Sequence, residues 1–481
     1  MDNSSIPTHN THFSEKTSLK KLSRKGFFLL SGLFILSFFV IYTLLAKLFI
    51  INEESPVAGY SISARDTDKT LDEKEIVIHQ FPDTSSGIHV FNDQLATWEM
   101  SEDQFKFAAT HYAGTQKIFA SDTRRLRAYN PDFVLLNYRL GTGLGYQAVG
   151  ENCAPDGNWI ELIEGERWVR EFPENPLDEW FYKFNGKKVF SCEWGWYLMD
   201  ISNPDWRQYW YKEVLRQIIS NQADGVFVDS ISPPNYFGGE SFSPQLPDLN
   251  MEFEKEWANK IEDFLSFSQT GELEKYHIVV NVGEWITSRD KTDYSSSDGI
   301  FVEGFSRWAD GEYFDFSEQD WHLQLNRILR LTNSKKNIIL QQYIDPRNTN
   351  DRLFVLSNYL LIKGEHTFIN MEYSSLPEWF PEYEIPIGKP IGDSPQSISS
   401  LYRSDWNVYV RKYSNGIVIV NPSNETRSIE LFQEYYQALP FGGGIIPVDA
   451  NISEWTIDYR QTSFVELGPN QGLILLEKIS T

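Results

Sequence analysis

ADGVFVDS at residues 223–230, HIVVNVGE at 277–284 and DGIFVEGF at 298–305 are built alike: a short apolar run, rich in Val, Ile and Phe, that ends on a polar residue. Such runs are apolar on both faces. That fits strands of a parallel sheet covered on both sides and not the half-wet strands of an antiparallel one. Working outward, similar runs occur at Gly87–Phe91, Phe133–Tyr138, Trp196–Met199, Asn337–Gln341 and Thr367–Asn370. With Gly225–Val228, Ile278–Val282 and Gly299–Val302 they make eight candidate strands.

The segments between them read as helices. Ser101 with Gln104 forms a capping-box signal, followed by Phe105, Ala108, Ala109 and Tyr112 on one face and Gly114 as a stop. Asn203-Pro204 is a cap with proline at the first helical position, leading to Trp206, Trp210, Val214 and Ile218. Phe253, Trp257, Ile261, Phe264 and Leu265 form a further stripe, as do Leu353, Leu356 and Leu360 with Gly364 beyond them. Eight strands alternating with helices predict an α/β fold, a (β/α)8 barrel of the TIM type over residues 75–395. An open doubly wound sheet is the alternative, but no glycine-rich dinucleotide turn follows the first strand.

From residue 396 to 481 the pattern changes to strands alone: Asn407–Tyr413, Gly416–Asn421, Arg427–Leu431, Ser463–Leu467 and Gly472–Glu477. The first two are joined across Ser414-Asn415-Gly416 as in a tight hairpin. This predicts a C-terminal antiparallel β-sandwich packed on the barrel.

The other end of the chain is a different solvent problem. Gly26 to Ala46 is a run of 21 residues without a charge, enough to span a hydrocarbon core about 30 Å thick. It is longer than a signal-peptide core, and no small-residue cleavage site follows it. Lys16, Lys20, Lys21, Arg24 and Lys25 precede it, so the positive-inside rule puts residues 1–25 in the cytoplasm, 26–50 in the membrane as a single-pass anchor, and the remainder outside the cell. Residues 51–74, polar and without periodicity, read as a stalk.

The chain carries 43 Lys and Arg against 67 Asp and Glu, and beyond residue 51 the balance is 37 against 65, or −28. A field of that sign repels nucleic acids and polyanions and favours neutral or cationic partners. The two cysteines, Cys153 and Cys192, are too few for a disulfide scaffold; they either pair or serve as small buried hydrophobes.

Barrel enzymes place their chemistry at the C-terminal ends of the strands. Here those ends deliver Asp93, Asp200, Asp229, Glu284, Glu303, Asp345 and Glu372. Any single one can be a helix cap, but acids gathered at one rim repel one another and cost stability unless function requires them. Paired carboxylates without a cofactor or metal are the requirement of glycoside hydrolysis. The eight histidines are scattered, their only close pair being His9 and His12 in the N-terminal tail, and neither a GxSxG elbow nor a P-loop occurs. Trp194, Trp196, Trp285 and Trp308 lie near predicted strand ends, where aromatic rings can stack on sugars.

These same stretches, 223–230, 277–284 and 298–305, resemble the hypothetical glycosyl-hydrolase-like barrels of microbes and, more distantly, endo-α-1,4-polygalactosaminidase-type enzymes. The resemblance covers roughly residues 85–375. It implies a (β/α)8 glycosidase with Asp229 and Glu303 as the catalytic pair and Asn281 positioning substrate. NGIVIVNPSNET (415–426) and VELGPNQGLILL (465–476) are similar to the β-domain that follows the barrel in amylase-like glycosidases. The long 140–190 insertion departs from the compact pattern. The expected function is a membrane-anchored extracellular glycoside hydrolase acting on a polysaccharide, with Glu284, Trp285, Trp308, Asp93, Asp200, Asp345 and Glu372 as further substrate contacts. The alternatives are a non-catalytic carbohydrate-binding or cell-wall scaffold on the same fold, or a polysaccharide lyase or transglycosidase.

Overall fold

The computed structural model of the chain describes residues 77–118, 120–145, 147–159, 176–236, 238–248, 250–307 and 316–479, all within one compact unit, Glu73–Thr481. The expected tail, anchor and stalk lie outside the described residues, as does Trp308. Among the described residues no helix is long and apolar enough to cross a membrane.

Eight parallel strands close into a barrel: β1 (Val90–Phe91), β2 (Tyr112–Gln116), β3 (Val134–Leu140), β4 (Gly225–Asp229), β5 (His277–Asn281), β6 (Gly299–Glu303), β7 (Asn337–Tyr343) and β8 (Thr367–Glu372). Each strand pairs with its neighbours in sequence, and β1 closes on β8 through Val90 and Ile369. Helices α1 (Glu102–His111), α2 (Ala120–Tyr129), α3 (Pro204–Asn221), α4 (Met251–Ser268), α5 (Glu318–Asn333) and α6 (Thr349–Ile362) follow β1, β2, β3, β4, β6 and β7. The connection from β5 to β6 carries a short 3-10 turn, Tyr294–Ser296.

Period-two alternation sorts the strand residues. Val226, Val228, Val280 and Val302 are fully buried and belong to the cluster shared with the helices. Their neighbours Phe227, Val279, Phe301, Ile339 and Phe368 form a separate cluster with Phe91, Val134 and Leu136, which fills the barrel. Phe81 completes that cluster, packing on Phe91, Phe368 and the His277 ring.

Seven of the eight expected strands lie in the barrel; the eighth is a correction. Trp196–Met199 is not a barrel strand. Tyr197–Leu198 belongs to a small antiparallel sheet with Gly143–Leu144 and Phe190–Ser191, all three from the excursion between β3 and α3, and with Phe242–Ser243 from the loop between β4 and α4. The second barrel strand is Tyr112–Gln116, whose YAGTQ lacks the apolar run that marks the others. Helix α1 therefore stops at His111, and Gly114 does not close it but lies in β2. A Cβ at Gly114 would collide with the Val134 carbonyl and the Phe91 ring, so the close approach of β2 to β3 and β1 requires glycine there. Within the excursion, Cys153 and Cys192 form a disulfide.

The helix ends follow the expected chemistry. Ser101 and Gln104 make the full capping box, and Asn203 caps α3 with Pro204 at its start. Trp206, Trp210, Val214 and Ile218 are buried, as are Phe253, Trp257, Ile261, Phe264 and Leu265.

The C-terminal part holds a six-stranded antiparallel sheet, in the order Tyr402–Arg403, Val408–Tyr413, Gly416–Asn421, Gln471–Leu476, Arg427–Phe441, Thr456–Leu467, while its Gly444–Ile445 pairs separately with Glu378–Trp379. Two stacked sheets were expected. Instead the 15-residue strand Arg427–Phe441 passes through an irregularity between Glu430 and Tyr435, pairing with Gln471–Leu476 only beyond it. The one sheet thus serves both sides of an apolar cluster that includes Val408, Ile419, Ile429, Leu467 and Leu475. Its other face lies on α6, every residue of which from Asp351 to Ile362 is buried. Arg411 donates to the carbonyls of Leu360, Leu361 and Lys363, satisfying the orphan end of that helix.

Candidate active site

The alternation that fills the barrel with apolar side chains predicts what stands one step higher. Two residues beyond Phe91, Leu136, Phe227, Val279, Phe301, Ile339 and Phe368 come Asp93, Tyr138, Asp229, Asn281, Glu303, Gln341 and Asn370. Inward-facing positions thus turn from apolar to polar at the C-terminal mouth. The backbone tightens at the same level: Lys117, Ser230, Trp285 and Ser306, each just past a strand end, take positive φ of 62°, 52°, 52° and 63°. Strain of this kind concentrates where side chains must be aimed.

Asn281 joins the centre. Its Nδ2 donates to Asp229 Oδ1 at 2.9 Å and to Glu303 Oε2 at 2.8 Å. Asp229 also accepts from the Ser230 backbone N–H at 2.8 Å and, through Oδ2, from the Tyr138 hydroxyl at 2.8 Å. Glu303 accepts through Oε1 from the Tyr343 hydroxyl at 3.0 Å. Burial, and then the charge of Asp229, push the Glu303 carboxyl above the usual carboxylate range.

A second group adjoins the first. Asp93, just past β1, accepts from Gln116 Nε2 and, at 2.7 Å, from Lys117 Nζ. Glu372, at the end of β8, is buried and accepts from Asn370 Nδ2 at 2.8 Å; burial, followed by the charges of Asp93 and Glu378, pushes its carboxyl far up. Tyr343 feels the charges of Glu303, Glu372 and Asp93, so the two groups form one continuous polar mouth.

Other expected residues stand apart. Asp200 follows no barrel strand; it closes a turn ahead of α3 by accepting from Ser202 N–H. Asp345 lies past β7 but is occupied by Arg347, whose Nε and Nη2 each donate at 3.0 Å. Glu284 is buried beside Tyr236, whose hydroxyl is pushed well up, first by burial and then by the Glu284 charge. Trp285 is fully buried against Tyr294 and under Arg327, so its ring faces protein and not a ligand. Trp194 is exposed, whereas Trp196 is buried against Phe242.

Lys117, Tyr138 and Tyr343 are members of the mouth that the sequence reading did not single out. Tyr138 ends a run that reads only as an apolar strand, Tyr343 lies two residues beyond the expected Asn337–Gln341 because β7 runs on to it, and Lys117 follows the one strand that carries no apolar run.

A family described as hypothetical glycosyl hydrolase family 15 matches residues 127–417. Among solved structures, the glycoside hydrolase domain of PelA from Pseudomonas aeruginosa is 14% identical over 60% of this chain and 95% of that one, with a TM-score of 0.38. A noncanonic maltogenic alpha-amylase, AmyB from Thermotoga neapolitana, is 11% identical over 82% of this chain and 99% of that one, with a TM-score of 0.37. No curated protein sequence matches the chain.

Proposed function

The chain belongs to hypothetical glycosyl hydrolase family 15, and from that premise we propose that it hydrolyses glycosidic bonds of a polysaccharide, with Asp229 and Glu303 as its working pair. One observation carries the assignment of the pair: a single amide nitrogen, Asn281 Nδ2, is hydrogen-bonded to both carboxyl groups. Their nearest oxygens are therefore no farther apart than two hydrogen bonds end to end, about 6 Å. That favours the short separation of retaining glycosidases, about 5–5.5 Å, over the 6.5–9.5 Å that leaves room for water in inverting ones.

The roles follow from the surroundings. Three donors (Asn281, Ser230 N–H and Tyr138) converge on Asp229 and fix the direction of its oxygens, which suits a nucleophile. Glu303, with its carboxyl pushed up, suits the general acid. Glu303 gives its proton to the leaving oxygen as an Asp229 oxygen bonds to the anomeric carbon and the glycosidic C–O bond breaks. The Glu303 carboxylate then takes a proton from water, whose oxygen displaces Asp229 and restores both groups. In this reading Asp93, Asn281 and Glu372 hold sugar hydroxyls around the reacting ring.

We assign Gly26–Ala46 as a single-pass anchor that keeps the barrel outside the cell. The Cys153–Cys192 disulfide supports this, since such bonds persist in oxidising compartments. The balance of −28 beyond residue 51 favours neutral or cationic polymers.

The test is release of reducing ends by the full chain from a panel of neutral and amino-sugar polysaccharides, with the products' anomeric form followed by NMR. Retained configuration, lost in Asp229→Asn, is expected. Binding without turnover, unsaturated products or transferred sugars would instead assign a scaffold, a lyase or a transglycosidase.

A further inference from the structure

Among the described residues, Lys117 is a cation whose charge acts on Asp93, Asp229, Glu303 and Glu372 together. Its position is costly in two ways. The residue follows β2 directly, in the left-handed backbone region, φ 62°, which disfavours any residue with a side chain, while its N–H stays tied to the Leu136 carbonyl at 3.2 Å. Its ammonium is also drawn from water: the side chain is 14% exposed and runs 5.1 Å from the Phe227 ring centre and 5.7 Å from that of Tyr138. Burial weakens its hold on its proton, and the surrounding carboxylates more than outweigh that. A pair needed only for stability gains little from such a place, because desolvation consumes most of the attraction.

What the place does supply is a fixed positive charge over the mouth. Asp93 anchors it at 2.7 Å from the end of β1. The groups that face it are Tyr138 from β3, Asp229 from β4, Glu303 from β6 and Glu372 from β8, with Tyr343 of β7 bonded to Glu303. A cation there limits how tightly Glu303 holds its proton.

We propose that Lys117 is a positioning residue for the carboxylate pair, and that its ammonium, held by Asp93, sets the pH at which Glu303 gives up its proton. This rests on the role given to Glu303 above and adds to it the group that tunes it. The two members of the ion pair act in opposite senses. Loss of the cation makes Glu303 hold its proton to higher pH, and loss of the Asp93 anion makes it release that proton at lower pH.

The experiment is the pH profile of kcat for the full chain and for Lys117→Met, Lys117→Arg and Asp93→Asn. It is paired with a 13C-carboxyl titration of Glu303, identified by its absence in Glu303→Gln. For Lys117→Met the alkaline limb should move to higher pH, and the ratio of variant to native kcat should rise about threefold from the optimum into that limb. Asp93→Asn should move the alkaline limb to lower pH, and Lys117→Arg should leave it in place whatever it loses in rate. Uniform loss at every pH, or shifts of the same sign in Lys117→Met and Asp93→Asn, would overturn the proposal. Should Lys117→Met not fold, the opposed behaviour of Asp93→Asn and Lys117→Arg decides it. The titration reads Glu303 without turnover, so a chain that cleaves no polymer defeats the glycosidase reading while the tuning by Lys117 is still measured.

Discussion

The phenol of Tyr343 donates a 3.0 Å hydrogen bond to Oε1 of Glu303, the oxygen that Asn281 does not reach. Burial and the charge of Glu303 keep that phenol from ionising, so it remains a donor across the working pH range. A donor stabilises the carboxylate over the acid. Tyr343→Phe should therefore let Glu303 hold its proton to higher pH and extend the alkaline limb of kcat, with a loss at the optimum of about tenfold. A limb that moves to lower pH would show that the phenol serves the acid form.

Glu378 lies beside this mouth in a short strand, Glu378–Trp379, and accepts from the Tyr373 N–H at 2.7 Å. Burial pushes its carboxyl up to about 8. The folded chain thus binds a proton that the unfolded chain has released, and stability must fall as pH rises from the ordinary carboxylate range through about 8. Glu378→Gln, which cannot ionise, should match the native chain near pH 5 and gain on it near pH 9 in thermal melts. A difference that stays flat across that interval would mean the carboxyl is not held protonated by the fold.

Arg352 of α6 and Glu382 of the turn after β8 form a buried pair, Nε to Oε1 2.6 Å, and Arg352 also donates to the Pro346 carbonyl. Removing one member of such a pair costs about 3–5 kcal/mol because the other charge is left buried. The two removals should be unequal. Burial already pushes Glu382 up, so in Arg352→Met it can neutralise itself by taking a proton, whereas in Glu382→Gln the guanidinium has no such escape. Denaturant melts should rank Glu382→Gln as the more damaging change, and the reverse order would contradict this account.

Much of the barrel is legible in the sequence because β4 to β8 carry apolar residues on both faces. The same alternation brings Asp229, Asn281 and Glu303 to one level. What escapes is β2. Its inward and outward positions are filled by Ala113, Gly114 and Thr115, since close strand approach at Gly114 excludes a side chain, and no apolar run is left to read. The Trp196–Met199 run fills that gap in the count while belonging to another sheet. Losing β2 also loses Lys117, because a strand end can be searched only once its strand is recognised. Trp285 fails for a different reason: its neighbours Tyr294 and Arg327 come from elsewhere in the chain, and nothing local in VGEW reveals that they bury it.

The division of labour between Asp229 and Glu303 can be tested by chemistry that bypasses one of them. An acid is needed only when the leaving oxygen is basic, so a substrate with a good leaving group departs without a proton. Glu303→Gln keeps a polar group of the same shape: its oxygen can still accept from Asn281, and its NH2 can donate to the Tyr343 hydroxyl oxygen. It should lose a factor on the order of 10² to 10⁴ on the natural polymer and recover most of it on an aryl glycoside with an acidic phenol. Asp229→Asn removes the attacking oxygen's charge, which no leaving group can replace, and should stay inactive on both. The native fold of each variant is checked by its melting curve. Rescue of Asp229→Asn with none for Glu303→Gln would exchange the two roles, and full activity in both would place the chemistry on other residues of the mouth.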